Sequence, residues 1–331
     1  MDIIPQMDLF GNTLQRKQPI SRPELAEMLY QSLYNMSLTK FASLFTNEFQ
    51  ELIAYVELSN GFKSGQNISL LFNPQRLDTV THKHPLSIYK AFTQNRNFCD
   101  GLARVILLKK GKVKVSELLN QSVQMGINST QYVNEFPPHL ARDLYVKYCR
   151  QGAESRILDP CAGWGGRMLG ASIVSNHYDC FDPATKTVEG LKKLSDFINK
   201  LNPDFTPIIT CMPYEDADVK ENFYDFALTS PPYYDTEHYS DEDTNSLVRY
   251  KTFDSWCEGF YLPFIEKTMR ALKQGSFFVL NIGSRRYPLN DVMITNFKDT
   301  CDIQKSGKYL AQRPNNDDEV EGETFYSLRK K

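Results

Sequence analysis

A chain of 331 residues, 41% hydrophobic and 24% charged, can bury its own core in one large domain or two modest ones and needs no disulfide scaffold. Its 38 basic and 40 acidic side chains leave a net charge of -2, which excludes a strongly basic nucleic-acid coat and an acidic disordered tail. The near-neutral total hides two unlike halves: residues 1–130 hold 14 basic and 10 acidic side chains, residues 131–331 hold 24 and 30.

The opening segment MDIIPQMDLF places Asp2 and Asp8 where a secretory leader needs basic residues and then an apolar run. No stretch approaches a membrane span of ~20 apolar residues, so a cytoplasmic protein without membrane contact is expected. The seven cysteines, Cys99, Cys149, Cys161, Cys180, Cys211, Cys257 and Cys301, form no C-x-x-C pair. His82, His84, His139, His177 and His238 form no H-x-x-H spacing, so reduced thiols and no metal site are expected.

Pro5, Gly11 and Pro19 mark the first ~20 residues as an arm. Ser21-Arg22-Pro23-Glu24 then supplies a capping hydroxyl and an early acid, and Leu25, Met28, Leu29 and Leu33 recur at helical spacing. The pattern predicts a second helix from Leu38 to Leu58, broken by Asn60-Gly61, and a shorter one near Pro85–Thr93. The basic run Lys109-Lys110-Gly111-Lys112-Val113-Lys114 precedes a helix over Ser116–Gln124. Residues 1–130 therefore read as a mainly helical N-terminal region without a chemical signature.

Beyond Asn128 strands alternate with helices, which implies an α/β, Rossmann-like domain over residues 131–331 with a mostly parallel sheet. Strands are expected at Arg156–Leu158, His177–Phe181, Ile208–Cys211, Tyr224–Leu228 and Phe277–Ile282. Two more, near Ile303–Ala311 and Thr324–Leu328, would form an antiparallel hairpin around the acidic turn Asn315–Glu321. Helices are expected at His139–Cys149, Met168–Val174, Thr187–Asn199 and Phe253–Leu272, the last closed by Lys273-Gln274-Gly275. Trp256 falls on that amphipathic helix as a core or interface residue.

Three features sit at carboxyl ends of strands, where open α/β sheets bind ligands. The first is the turn Asp159-Pro160-Cys161-Ala162-Gly163-Trp164-Gly165-Gly166-Arg167. Its glycines admit close backbone approach, and the helix behind it offers N–H groups to an anion. Met168 stands where the third glycine of a dinucleotide fingerprint would fall, so a smaller group such as an amino-acid carboxylate fits better than a pyrophosphate. Tight packing alone would also require glycines here.

The second feature is Asp182, placed either to accept ribose hydroxyls of an adenosine-containing cofactor or to cap the next helix. After the third strand, Met212-Pro213-Tyr214-Glu215-Asp216 brings Glu215 or Asp216 toward an adenine edge. The third feature is Thr229-Ser230-Pro231-Pro232-Tyr233. Consecutive prolines stiffen the turn and leave the Ser230 and Pro231 carbonyls without local partners. A hydroxyl, carbonyls and an aromatic face in one cluster suit methylation of an exocyclic amino group. The enzyme must accept hydrogen bonds from that group, aim its nitrogen at a methyl sulfonium, and stack the extruded base on Tyr233.

Residues ~130–331 resemble the S-adenosylmethionine-dependent amino-methyltransferases that modify adenine or cytosine in DNA. Asp159-Pro160-Cys161-Ala162-Gly163-Trp164-Gly165 is similar to the family's D-P-F-x-G-x-G cofactor loop, and Ser230-Pro231-Pro232-Tyr233 to its [DNS]-P-P-[YFW] tetrad. Glu135-Phe136-Pro137-Pro138 is similar to the segment whose phenylalanine contacts the cofactor's methionine end, and Glu323 to Lys330 to the closing strand. Cys161 stands where the family commonly has Phe, and Gly166 where it often has Thr or Ser.

The resemblance implies a seven-stranded sheet of order 3-2-1-4-5-7-6 and S-adenosylmethionine as cofactor, with the cofactor loop preceding the tetrad. It implies that Phe136, Asp159, Cys161, Ala162, Gly163 and Gly165 surround the methionine end, with Asp182 on the ribose and Glu215 or Asp216 on the adenine side. Ser230, Pro231, Pro232 and Tyr233 would be the catalytic tetrad. Serine in its first position favours cytosine N4 over adenine N6.

Asp235, Glu237, Asp241, Glu242 and Asp243 crowd the loop after the tetrad, where acids repel phosphates. Either this loop points away from DNA, or Arg249, Tyr250 and Lys251 make the contacts, or the substrate is not duplex DNA. An RNA or tRNA base methyltransferase and a non-catalytic binding protein are the alternatives. No recognition insertion follows the tetrad, so recognition falls to residues 1–130, unless that region is a helical cap or a homodimer contact.

Overall fold

The computed structural model describes residues 20–82, 86–112, 133, 135–283, 286–308 and 324–331. The opening arm, the helix expected over 116–124 and the turn expected at 315–321 lie outside the described residues. Two compact units emerge, one drawn from Met1–Met36 and Lys90–Asn128, the other from Ser37–Tyr89 and Ser129–Lys331.

The first unit is a helical pair. Arg22–Leu33 opens on a capping box: the Ser21 hydroxyl accepts from the Glu24 N–H, and the Glu24 carboxylate accepts from the Ser21 N–H at 2.9 Å. Its partner, Arg96–Leu108, buries Phe98, Cys99, Leu102, Ala103 and Val105 and is capped by the Asn95 side chain at 3.1 Å. Arg22 pairs with Asp100 and Arg96 with Glu27 across the pair. The sequence reading assigns no helix to this stretch.

In the second unit, the single helix expected over 38–58 is two, Leu38–Ala42 and Glu48–Ser59. Asn47 separates them: its backbone is extended, with φ -145°, and its side chain accepts from the Gln50 N–H at 3.0 Å, which starts a new helix. Ile68–Phe72, a 3-10 turn at Pro74–Asp78 and the short strand β1 (Val80–Thr81) follow.

The sheet strands are β2 (Arg156–Asp159), β3 (His177–Asp182), β4 (Thr206–Cys211) and β5 (Tyr224–Thr229). After the short β6 (Glu237–His238) come β7 (Leu272–Ile282), β8 (Cys301–Lys308) and β9 (Thr324–Lys330). Their order is β4-β3-β2-β5-β7-β9-β8, with β1 and β6 forming a separate antiparallel ribbon. Numbered by the seven sheet strands alone, this is the expected 3-2-1-4-5-7-6. Strands β2 to β5 and β7 run parallel, and β9 is antiparallel to both β7 and β8.

Helices cover both faces. Pro138–Tyr148, Gly166–Ala171 and Thr185–Asn199 pack one apolar layer with Met168, Leu191 and Leu194, and Tyr55, Leu58 and Ile68 join it. Residues 253–271 and Leu289–Phe297 build the other around Trp256, Phe264, Phe278 and Met293. A π-helical turn at Cys257–Tyr261 interrupts the first of these, and Trp256 is fully buried.

The glycine-capped end expected for that helix is not what forms. The helix stops at Ala271, Leu272 is already extended, and Gly275, at φ +75°, lies in a bulge between the Leu272 and Phe277 pairings with β5. Lys330 supplies the cap instead, donating to the Arg270 and Leu272 carbonyls at 2.9 and 2.6 Å. Among the described residues no helix is long and apolar enough to cross a membrane, and no three His, Cys, Asp or Glu cluster as a metal site.

Segment 68–78 is clamped to the stretch preceding the Pro138–Tyr148 helix by a buried ion pair between Arg76 and Glu135, with the Ser69 hydroxyl also on Glu135. Burial pushes the Glu135 carboxyl up, and the Arg76 guanidinium opposes that shift. Arg76→Ala would leave a buried carboxylate uncompensated and is expected to cost about 3–5 kcal/mol in urea denaturation. The deficit should shrink at acid pH, where Glu135 takes a proton; a deficit independent of pH would contradict this account.

Candidate functional site

The sheet order reverses between β2 and β5, the switch point at which open α/β sheets bind ligands. Asp159, fully buried at the end of β2, holds this point together. Its Oδ2 accepts from Arg167 Nε at 2.8 Å and from the Tyr178 hydroxyl at 2.6 Å. Its Oδ1 accepts from the Thr229 hydroxyl at 2.7 Å and from the Cys161 N–H at 3.3 Å. Asp159 thus acts on the loops from beneath. The Cys161 N–H also reaches the Thr229 oxygen at 3.1 Å, and Arg167 bonds the Cys161 carbonyl, so the β2 and β5 turns share one network.

Above Asp159 the turn 160–166 is set by close approaches. Ala162, buried, donates its N–H to the Phe181 carbonyl at 2.8 Å. Gly163 adopts φ +58°, and a Cβ there would find nothing nearer than Arg167 Nη2 at 3.9 Å, so open space lies beside it. Gly165 differs: a Cβ would sit 2.4 Å from Leu194 Cδ2, and at Gly166 one would sit 2.2 Å from the Phe136 carbonyl. These two glycines let the helix pack, and the cradle belongs to Gly163. Phe136 is buried edge-on to Phe325 at 5.9 Å, with the Arg167 guanidinium 5.4 Å from its centroid. Burial pushes the Cys161 thiol well up, so it is no nucleophile at neutral pH.

Asp182 stands beside this cradle. Its Oδ2 accepts from the Gly163 N–H at 3.0 Å and its Oδ1 from the Ala184 N–H at 3.0 Å, so it orders the turn and the approach to the Thr185–Asn199 helix together. Burial pushes its carboxyl up to about 7, against the two N–H donors. Glu215 and Asp216, in a 3-10 turn past β4, both bind Arg249, at 2.9 Å and 2.9 Å. Lys267 fixes the same turn from behind, donating to the carbonyls of Glu215 and Ala217 at 2.6 Å each.

At the end of β5, Ser230 Oγ and the Tyr233 hydroxyl lie 3.2 Å apart, and that hydroxyl is 3.2 Å from the Asn281 carbonyl on β7. Pro231 is buried and Pro232 half-buried between them. Tyr234 follows with φ +55°, a left-handed conformation that costs a non-glycine residue about 1–2 kcal/mol. Ring contacts with Phe253, Trp256 and Tyr287 at 5.7, 5.7 and 5.0 Å hold it there.

The acidic loop spends most of its charge on the protein itself. Asp235 takes Arg286 at 2.9 Å and the Tyr287 hydroxyl at 2.7 Å; Glu237 takes the Tyr239 hydroxyl; Asp241 takes His238 at 2.8 Å. Glu242 bonds the Thr185 N–H and hydroxyl, capping the helix beyond Asp182, and Thr244 donates to the Pro183 carbonyl at 2.9 Å. Tyr239 meets Trp164 edge-on at 5.8 Å, and residues 237–238 pair with β1. The loop folds over the β3 end, and Arg249 is committed to Glu215 and Asp216. The contacts of Asp235, Tyr239, Glu242 and Thr244 escape sequence reasoning because they join residues far apart in the chain, whereas those of Glu237 and Asp241 are local.

No family model and no curated protein matches the chain. Among solved structures it is similar to a putative class I S-adenosylmethionine-dependent methyltransferase from Listeria monocytogenes, at 15% identity over 93% of this chain and 88% of that one, TM-score 0.45. It is also similar to a tRNA (m1A58) methyltransferase from Aquifex aeolicus, at 13% identity over 60% and 71%, TM-score 0.41. A putative methyltransferase from Streptococcus mutans in complex with SAH matches at 16% identity over 60% and 99%, TM-score 0.36. Identities and scores this low leave the functional reading to the site itself.

Asp182 makes a direct prediction. Its carboxyl carbon should titrate by NMR near pH 7, where an exposed aspartate titrates near pH 3.9. Because the folded protein holds this proton more tightly than the unfolded chain, its contribution to stability should fall as pH rises from about 4 to about 7. A midpoint near 4 would remove the burial argument.

Proposed function

We propose that the chain is an S-adenosylmethionine-dependent methyltransferase acting on an exocyclic amino group of a nucleic-acid base, in DNA, with cytosine N4 favoured over adenine N6. One observation carries this reading: Ser230-Pro231-Pro232-Tyr233 ends the strand next to the Asp159–Arg167 turn, joined to it by the 2.7 Å Thr229–Asp159 bond. Paired strands run ~4.8 Å apart, so a turn suited to a cofactor and a turn suited to an amino group lie side by side.

The residues fit such a cofactor. The space beside Gly163 admits a ligand against bare backbone, and Asp182 offers a buried carboxylate that hydroxyl donors would relieve. Gly163, Cys161 and Ala162 would line the methionine end through the backbone, with Phe136 behind them and Gly165 seating the turn against the 185–199 helix. Asp182 would hold the ribose, Glu215 or Asp216 the adenine side, and Asp159 the turn itself. When bound, S-adenosylmethionine would supply an electrophilic methyl group, transferred to the amino nitrogen with the S–C bonding electrons kept by sulfur and the displaced amino proton passing to solvent. Ser230 Oγ and the Pro231 carbonyl accept from the amino group and aim its nitrogen, Pro232 stiffens the turn, and the Tyr233 ring stacks on the base. The basic balance of residues 1–130 suits the nucleic-acid backbone.

Mass spectrometry of nucleosides from DNA and RNA incubated with the chain and S-adenosylmethionine tests the reading, with 4-methylcytosine from DNA expected. Methylated RNA alone would move the substrate to RNA. Absence of both methyl transfer and calorimetric S-adenosylmethionine binding would overturn the reading in favour of a binding protein.

Ser230→Ala should lower kcat about 10–100-fold with cofactor affinity intact. Asp182→Ala should weaken the cofactor at least about tenfold and spare kcat at saturation. Ribose hydroxyls favour ionised Asp182, so cofactor affinity should rise with pH through about 7 and lose that dependence in Asp182→Ala. Loss of cofactor binding in both variants would refute the division of roles.

A further inference from the structure

We propose that the Tyr233 hydroxyl is a positioning group that turns the Ser230 proton inward, so that Ser230 meets its target only as an acceptor and the site takes amino-bearing bases over their keto counterparts. The proposal rests on the methyltransferase reading above and goes beyond it by assigning the direction of the hydrogen bonds.

The direction follows from which atoms own protons. Tyr233 Oη lies 3.2 Å from the Asn281 carbonyl oxygen and 3.2 Å from Ser230 Oγ. A carbonyl oxygen only accepts, so the single phenolic proton goes to Asn281. Tyr233 then faces Ser230 with oxygen lone pairs, which take the Ser230 proton. Asn281 Nδ2, at 3.5 Å, approaches the same serine oxygen as a further donor. With its proton directed to Tyr233, Ser230 offers the target a lone pair.

The frame around this relay is stiff. Asn281 is 4% exposed, and the neighbouring Leu280 pairs in register with Thr229. The two prolines and the left-handed Tyr234 fix the turn from the other side. A serine on a loose loop would rotate its hydroxyl to suit either kind of partner. Here rotation toward a keto oxygen would break the bond to Tyr233. The N4 amino group of cytosine and the N6 amino group of adenine donate to the serine lone pair. Uracil and hypoxanthine present an oxygen there, and two acceptors facing each other repel. Sites built to bond an N–H discriminate strongly against analogues that lack it.

The test compares an oligonucleotide carrying the base methylated by the wild-type chain with one carrying its deaminated counterpart, cytosine against uracil or adenine against hypoxanthine, as competitors of methyl transfer. The wild type should prefer the amino competitor. Tyr233→Phe keeps the ring and frees the serine proton, so it should reduce that preference about tenfold, with melting temperature and S-adenosylmethionine affinity unchanged. In a Ser230→Ala background, Tyr233→Phe should reduce it no further. An unchanged preference, equal weakening of both competitors, or an additive loss in the double variant would overturn the proposal while leaving the enzyme reading in place. A wild-type chain that methylates no amino-bearing base would overturn the enzyme reading itself.

Discussion

A carboxylate buried at the centre of a sheet has to be met by donors from every side, and Asp159 is met by four: Arg167, Tyr178, Thr229 and Cys161. They come from the turn after β2, from the start of β3 and from the end of β5. Removing any one leaves part of a buried charge unsatisfied, which costs more than the bond itself contributes. The consequence is geometric. The two turns proposed to hold cofactor and substrate cannot drift apart without exposing Asp159 to an apolar interior, so their adjacency is enforced by solvation rather than by a direct contact between ligand-binding groups.

That arrangement explains what is legible in the sequence and what is not. The strands from Arg156 to Leu280 announce themselves because buried parallel strands are short apolar runs ending at Asp159, Asp182 and Thr229, and their order follows from alternation with helices. The turns are legible because glycine and proline dictate backbone conformation locally. The break at Asn47 is not, since an apolar pattern continues through residues 38–58 and only a cap hydrogen bond divides it. The end of the 262–271 helix is not, since the competing cap comes from Lys330, 59 residues beyond Ala271. Nor does the sequence sort its glycines: Gly163 and Gly165 are two positions apart, yet only Gly165 is packed against Leu191 and Leu194, on the distant 185–199 helix.

The loop at 235–245 inverts a first impression drawn from charge. Five acids after the tetrad suggest a surface hostile to phosphates, but Asp235, Glu237, Asp241 and Glu242 each take a donor from the protein. Glu242 does most for the site, because a carboxylate on the first N–H of a helix relieves both an unpaired donor and the positive end of the helix dipole. It thereby anchors the loop beside Asp182. Arg249 is likewise paired within the protein, its guanidinium serving Glu215 and Asp216. Acidic composition here describes how a loop is pinned across strand ends, and a charge count by itself describes neither surface potential nor partner.

Asp182 shows why such pinning stops short of full satisfaction. Two N–H groups meet its oxygens, yet burial still raises its carboxyl to about 7, whereas Asp159, with a guanidinium beside it, is built into the fold. A carboxylate left with spare lone pairs and little water gains more from two incoming hydroxyl donors than an exposed one would, because the alternative partner is absent. The free protein therefore carries an electrostatic cost at this position that a ribose would relieve. On the proposed reading, stability is held back at the residue where binding would be gained, and complete satisfaction is reserved for the carboxylate that only has to keep two turns together.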